Sequence, residues 1–271
     1  MTANDPDDPD DLDDLDDLDD LVGRSLRGRH AHLARRLGRA AAYLPGVASF
    51  AAVPSEPTPS DWADLARLLG PGELADLFSA TATPPEDWAP VFSMAGLQMV
   101  AGQAVPSGGA LDDPVVVELG EADVPDVLAL VDRTRPGPFW RRTVALGTYL
   151  GVREGGLLVA MAGERLQPPG WTEISAVCTA PQARGRGYAS LLVQAAVRRI
   201  VERGDRPFLH VAADNTGAMR LYERLGFVLH RQVRFRGYRT PGAGSGEGRA
   251  GRAPTARPPA PGADGLGSSP R

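Results

Sequence analysis

The chain has 271 residues, room for one large or two small domains, and 42% of them are hydrophobic, enough to bury a core. Its formal charge of −5 is concentrated in one place: eleven aspartates fall between Asp5 and Asp20, so the rest of the chain is net basic, and all of its basic charge is arginine. A single cysteine, Cys178, excludes an intrachain disulfide and fits a reducing compartment, while His30, His32, His210 and His230 lack companions at metal-ligand spacing, so no metal is expected.

In chain order, residues 1–20 form an Asp-Asp-Leu leader that repels itself and buries little. It predicts a disordered acidic segment, with a polyanion mimic resting on an arginine-rich ligand mouth as the sharper alternative. Its charge is the wrong sign for a signal peptide, and no apolar run reaches ~18 residues. A cytoplasmic protein with no membrane partner is therefore expected. Residues 26–43, rich in Arg and Ala, predict a helix, and residues 47–53 a short apolar run. Ser60-Asp61 offers an N-cap for a helix through Leu69, stopped by Gly70-Pro71. Residues 91–101 predict a strand and residues 105–114 turns. Residues 21–110 thus read as a small α/β lobe, either a scaffold or dimer surface. Residues 240–271, without apolar periodicity, predict a flexible Gly/Pro/Arg tail. No aromatic residue interleaves the tail's arginines, so no nucleic-acid partner is expected.

Between these ends, residues 111–239 predict a second domain. Residues 115–119 predict a strand. A helix over 123–132 follows, with Val124, Val127, Leu128 and Val131 on one face, and then a break at Arg135-Pro136-Gly137-Pro138. A short helix over 139–145 precedes a hairpin, 149–153 and 157–164, turning at Glu154-Gly155-Gly156. A strand over 171–179 leads into Gln182-Ala183-Arg184-Gly185-Arg186-Gly187. Next comes a helix whose apolar stripe is Ala189, Leu192, Val193, Ala196, Val197 and Ile200. A glycine turn opening a helix presents free N–H groups and the positive end of the helix dipole, which is an anion site suited to a pyrophosphate. A strand over 207–213 then runs into Asp214-Asn215-Thr216-Gly217-Ala218-Met219-Arg220-Leu221-Tyr222-Glu223-Arg224-Leu225-Gly226-Phe227, followed by a last strand over 227–235.

The Q-x-x-G-x-G loop and the N-x-x-A-x-x-L-Y-x-x-L-G-F segment, in this order and separation, resemble the GNAT family of acyl-CoA-dependent N-acyltransferases. The likeness covers residues 115–235 and is densest over 171–227. It implies an α/β fold with a mixed, mostly antiparallel sheet, splayed between the 171–179 and 207–213 strands and flanked by helices. The N-terminal lobe could then be a degenerate copy of the same half. The implied reaction moves an acetyl group from acetyl-CoA, as co-substrate, to a primary amine by direct attack on the thioester. An inactive coenzyme A-binding or sensing module is the alternative, and a homodimer is compatible with either.

By the same resemblance the coenzyme would be held by Val177, Cys178 and Thr179, by Gln182, Arg184, Gly185, Arg186, Gly187, Tyr188 and Ala189, and by Asn215 and Tyr222. Asn215 also suits a helix N-cap. Tyr222 shares a helix face with Ala218 and Leu225, and the resemblance puts its hydroxyl near the thioester sulfur as proton donor. For the base, strand alternation places Glu173 with Ser175, Val177 and Thr179 and turns Cys178 away. His210 is the rival, and catalysis without a dedicated base is the third option. Arg135, Arg141 and Arg142 hint at an anionic acceptor.

Overall fold

A computed structural model describes residues 18–102 and 116–242. It opens with a short helix, α1 (Leu21–Arg27), and a three-stranded antiparallel sheet of β1 (Ala34–Leu37), β2 (Ala40–Tyr43) and β3 (Ala51–Ala52). The helix expected over 26–43 does not form. Gly28 closes α1 by donating its N–H to Arg24 O at 2.9 Å, and Gly38, at φ +56°, makes the tight turn between β1 and β2. Ala40, Ala41 and Ala42 are all buried, so packing outweighs the helix preference of alanine.

The next helix, α2 (Pro59–Leu69), begins ahead of the Ser60-Asp61 signal. Thr58 is its N-cap, Pro59 fills the first position, and the Asp61 carboxylate accepts from the Thr58 N–H at 2.7 Å. Two strands follow, β4 (Leu74–Phe78) and β5 (Ala89–Ala101). The rest of the chain supplies β6 (Val116–Leu119), α3 (Val124–Thr134), β7 (Tyr149–Glu154), β8 (Leu157–Glu164), β9 (Trp171–Thr179), α4 (Tyr188–Glu202), β10 (Arg206–Ala212), α5 (Thr216–Arg224) and β11 (Phe227–Arg239). In place of the short helix expected over 139–145 there is one 3-10 turn, Thr143–Leu146.

Eight strands form one mixed sheet in the order β4-β11-β5-β10-β9-β8-β7-β6, in which only β9 and β10 run parallel. The boundary expected near residue 110 is not a boundary of this sheet. β4 and β5 come from the N-terminal side of it, and β5 lies in the interior of the sheet, paired with β10 over Phe208–Ala212 and with β11 along its whole length. The small sheet and α1 lie over the same sheet: Leu18, Leu26, Tyr43 and Phe50 share a core with Phe78, Trp171 and Phe208. A second core joins Leu192, Val193, Val197 and Ile200 of α4 to β8, β9 and β10.

Both expected tails are anchored at their inner ends. Leu18 is fully buried, and Asp20 caps α1 by accepting from the Gly23 N–H at 3.1 Å. Thr240 is buried as well; its N–H donates to Glu73 O and its hydroxyl to Gly70 O. The remainder of the leader (1–17), the turns expected over 105–114 and the rest of the tail (243–271) lie outside the described residues. Among the described residues no helix is long and apolar enough to cross a membrane.

Candidate active site

The parallel ladder between β9 and β10 is short. It pairs Trp171–Ile174 with Arg206–Leu209 and then stops, while β9 continues to Thr179. The two strands therefore part, as the resemblance implies, and the backbone of residues 175–179 loses its partner on that side. At this point β9 also bulges. Gly163 of β8 pairs with Ser175 but Met161 pairs with Cys178, so Ala176 and Val177 together oppose the single residue Ala162. Ala176, within the insertion, takes a left-handed φ of +54°. One extra residue reverses the alternation beyond it. Cys178 consequently shares the face of Ser175 and Glu173, and Val177 and Thr179 do not. This corrects the face assignment from simple alternation. Cys178 is buried, and that burial pushes its thiol up to about 11, so it is held as an unreactive thiol.

Past β9, Pro181–Ala183 forms a 3-10 turn and Gly185 and Gly187 adopt φ of +77° and +84°. Gly187 is the N-cap of α4, whose first intrahelical bond runs from Leu191 N–H to Gly187 O. The N–H groups of Tyr188, Ala189 and Ser190 thus have no intrahelical acceptor. A Cβ at Gly185 or Gly187 would meet nothing within 4 Å, so both glycines border open space. Two arginines brace the turn. Arg184 Nε donates to Thr179 O at 3.3 Å and Arg186 Nη2 to Gln182 O at 3.2 Å. The Thr179 hydroxyl oxygen is buried and has no hydrogen-bond partner among the described residues.

On the far side of the gap, Asn215 caps α5 by accepting from the Ala218 N–H at 3.1 Å. Two turns on, Tyr222 is buried with Leu225, Phe227 and Cys178 in a common core, its ring 6.1 Å from that of Phe227. Burial pushes its hydroxyl up to about 12. A tyrosine of the core ordinarily spends its hydroxyl on a backbone carbonyl. Among the described residues no hydrogen bond is made by the Tyr222 hydroxyl.

Glu173 and His210, the two candidates for the base, are not free. Arg165 grips Glu173 with two bonds, Nε to Oε2 at 2.9 Å and Nη2 to Oε1 at 2.5 Å, and stacks its own guanidinium 4.4 Å from the Phe78 ring. His210 Nδ1 donates to Glu173 Oε1 at 2.7 Å. Its Nε2 accepts from the Gln98 amide at 3.1 Å, whose oxygen in turn accepts from Arg231 Nε at 2.9 Å. That last bond fixes which way the amide points, and the amide fixes His210 as the neutral Nδ1–H tautomer. Arg231 continues outward to Leu18 O, at 2.6 Å, and to Asp19.

Burial favours the protonated acid at Glu173, but the Arg165 guanidinium and the hydrogen bonds from Arg165 and His210 together outweigh it and hold the carboxyl well below the usual range. Burial keeps His210 low and neutral. Glu173 is fully buried in this grip, which makes it a weaker base than a free carboxylate. Both ring nitrogens of His210 are engaged as well. Arg165 was legible as a cross-strand partner of Glu173, since β8 and β9 are neighbours in sequence. Gln98 and Arg231 carried no such signal. Of the three arginines read as an acceptor hint, Arg135 is the left-handed C-cap of α3 and Arg142 bonds the backbone of Pro45 and Gly46.

Comparison with known proteins agrees with this fold. Residues 149–236, from β7 into β11, match the family model described as FR47-like protein. A crystal structure of a GNAT-family acetyltransferase from Novosphingobium aromaticivorans is similar with a TM-score of 0.74 and 39% identity, covering 82% of this chain and 97% of that one. The match takes in more of the chain than lies beyond Val116, so it includes N-terminal elements. The chain belongs to the GNAT family of acetyltransferases. Among curated proteins it is 45% identical over 62 residues to a mycothiol acetyltransferase of Corynebacterium aurimucosum, which is 22% of this chain and 20% of that protein. It is 30% identical over 126 residues to the N-alpha-acetyltransferase MAK3 of Arabidopsis thaliana, 42% of this chain and 65% of that protein. The chain thus spans about a fifth of the first relative and just under two thirds of the second.

Proposed function

We propose that this protein transfers an acetyl group from acetyl-CoA to a primary amine by direct attack on the thioester. The observation that carries the reading is a coincidence of three features at one place: the unpaired, bulged end of β9, the glycine-lined turn at the start of α4, and the unbonded hydroxyl of Tyr222. The turn suits the pyrophosphate, because Gly185 and Gly187 leave space for it and the first N–H groups of α4 face it. Arg184 adds positive charge, with Gln182, Arg186, Tyr188 and Ala189 completing the turn. Residues 177–179 offer backbone groups to the pantetheine amides as an added strand would, with the buried Thr179 hydroxyl beside them. Asn215 holds the start of α5 and thereby the position of Tyr222.

In the reaction the neutral amine nitrogen adds to the thioester carbonyl carbon and the carbon–sulfur bond breaks. Tyr222 gives its proton to the departing thiolate, and the proton released as the amide forms restores the phenol. The amine proton therefore balances the thiol proton and no separate base is needed. Glu173, with Arg165 and His210, acts by holding β9 rigid where it leaves β10, which supports the positioning on which such transfers largely depend. The relatives' names span more than one kind of acceptor. The test is coenzyme A thiol release from acetyl-CoA against a panel of small primary amines and peptides with free α-amino groups. Turnover with at least one class supports the reading; binding of coenzyme A without turnover on any member would favour a sensing module instead.

A further inference from the structure

Glu154, the last residue of β7, occupies a position with no part in the chemistry above, yet its side chain reaches the coenzyme turn. One oxygen, Oε1, accepts from Arg186 Nη1 at 2.7 Å and from the Tyr188 hydroxyl at 2.6 Å. Its placement follows from the hairpin: Gly155 and Gly156, at φ +55° and +85°, make the tight turn that ends β7 there. Arg186 stands between Gly185 and Gly187, and the freedom that lets those glycines wrap an anion also costs entropy when the turn is ordered. Arg186 is the one side chain between them by which the turn can be fastened. It is fastened at both ends of its guanidinium, to Gln182 O within the turn and to Glu154 across the hairpin. Tyr188, the first residue of α4, is tied to the same carboxylate.

From this we infer that Glu154 is a positioning residue for the coenzyme: a clip that holds the Gln182–Tyr188 turn in its anion-binding shape before the ligand arrives. The inference rests on the reading of this turn as the coenzyme A site. It also assigns Arg186 a different role from Arg184. With its charge matched by Glu154, Arg186 orders the turn rather than serving as a free phosphate ligand, and attraction for the anion comes from the α4 N–H groups and Arg184.

Two readouts test it. In the free protein, amide hydrogen exchange over residues 183–189 should speed up in Glu154→Ala and stay at the wild-type rate elsewhere. For the ligand, calorimetry with coenzyme A should show Glu154→Ala weaker by about tenfold, the size expected when one ordered polar side chain must be immobilised on binding. In turnover with acetyl-CoA the loss should fall on KM, with kcat unchanged. Glu154→Gln keeps an oxygen acceptor for both donors and should recover most of the affinity. Unchanged exchange and affinity in Glu154→Ala would overturn the clip, as would tighter binding, which would make the carboxylate a competitor for Arg186. A Gln variant as weak as Ala would overturn it too. If wild-type protein binds no coenzyme A, the proposed function fails, while the exchange measurement still decides whether Glu154 orders the turn.

Discussion

At the scale of single residues, the hydroxyl of Tyr222 is the group on which the proposed chemistry depends most. Tyr222→Phe removes one oxygen and keeps the ring against Phe227. Thermal stability and acetyl-CoA affinity should stay at wild-type values while kcat falls by roughly 10²-fold, the scale of one general acid. Equal kcat in the two proteins, measured where chemistry limits turnover, would leave Tyr222 a packing residue. A second buried group makes a prediction about stability rather than rate. Asp76 lies in the N-terminal part of the fold, accepts one bond from Ser49 Oγ at 2.6 Å, and is pushed by burial up to about 6. A carboxyl raised in the folded state keeps its proton where the unfolded chain, at about 3.9, has lost it. Its contribution to stability is therefore full at acid pH and declines as pH rises from ~4 to ~6. Asp76→Asn should gain on the wild type by about 1.4 kcal/mol per pH unit across that window and run parallel to it above. Denaturant melts at several pH values measure this, and parallel curves throughout would refute the assignment.

At the scale of elements, the turn and helix following β9 form a unit whose sequence and conformation agree closely. Positive φ at Gly185 and Gly187, no Cβ in the open space, and free N–H groups at the start of α4 are all consequences of residues within a few positions of each other. Gly185→Glu puts a β-carbon and a negative charge into that space. Coenzyme A binding should disappear by calorimetry while the melting temperature shifts by only a few degrees, the cost of about 1 kcal/mol for a non-glycine residue in a left-handed conformation. Retained binding in a folded variant would move the site elsewhere. The β9 bulge is the complementary case. Its one extra residue exchanges the faces of everything after Ala176, and so places Cys178 on the side where alternation expected Val177 and Thr179.

At the scale of the whole molecule, the N-terminal stretch is part of the main sheet. We propose that the described residues form one cooperative unit, because β5 is the strand that joins β10 to β11. A chain beginning at residue 111 would leave both of those strands facing a gap, with Phe208 and Trp171 stripped of the Leu18, Leu26, Tyr43 and Phe50 core. It should be insoluble or lack a cooperative melt; a soluble two-state fragment would argue for a separate domain. A finer cut tests the leader. Removal of residues 1–17 should leave the melting temperature unchanged. Removal of residues 1–20 also takes away the fully buried Leu18 and the Asp20 cap of α1, a loss of about 3 kcal/mol or more. Equal melting temperatures for the two truncations would show that neither contact contributes.

The sequence by itself determined the features whose geometry is local. The glycine turn opening α4, the Asn215 cap, the inward face of α5 that carries Tyr222, and the β7–β8 hairpin all follow from residue type and period within some fifteen positions. The two motifs, moreover, were sufficient to indicate the family. Tertiary structure alone decided three things. Pairing of β5 with β10 and β11 joins residues more than a hundred positions apart, and an alternating apolar run specifies a strand without specifying its neighbour. The Ala-rich segment over 26–43 became a hairpin because burial of Ala40, Ala41 and Ala42 outweighed their intrinsic preference. And Glu173, read as a base along its strand, is bonded by Arg165 from the end of β8 and by His210, which is bonded in turn to Gln98 of β5 and through it to Arg231 of β11. The charge state of a carboxylate depends on what surrounds it in space, and periodicity along one strand carries no information about that.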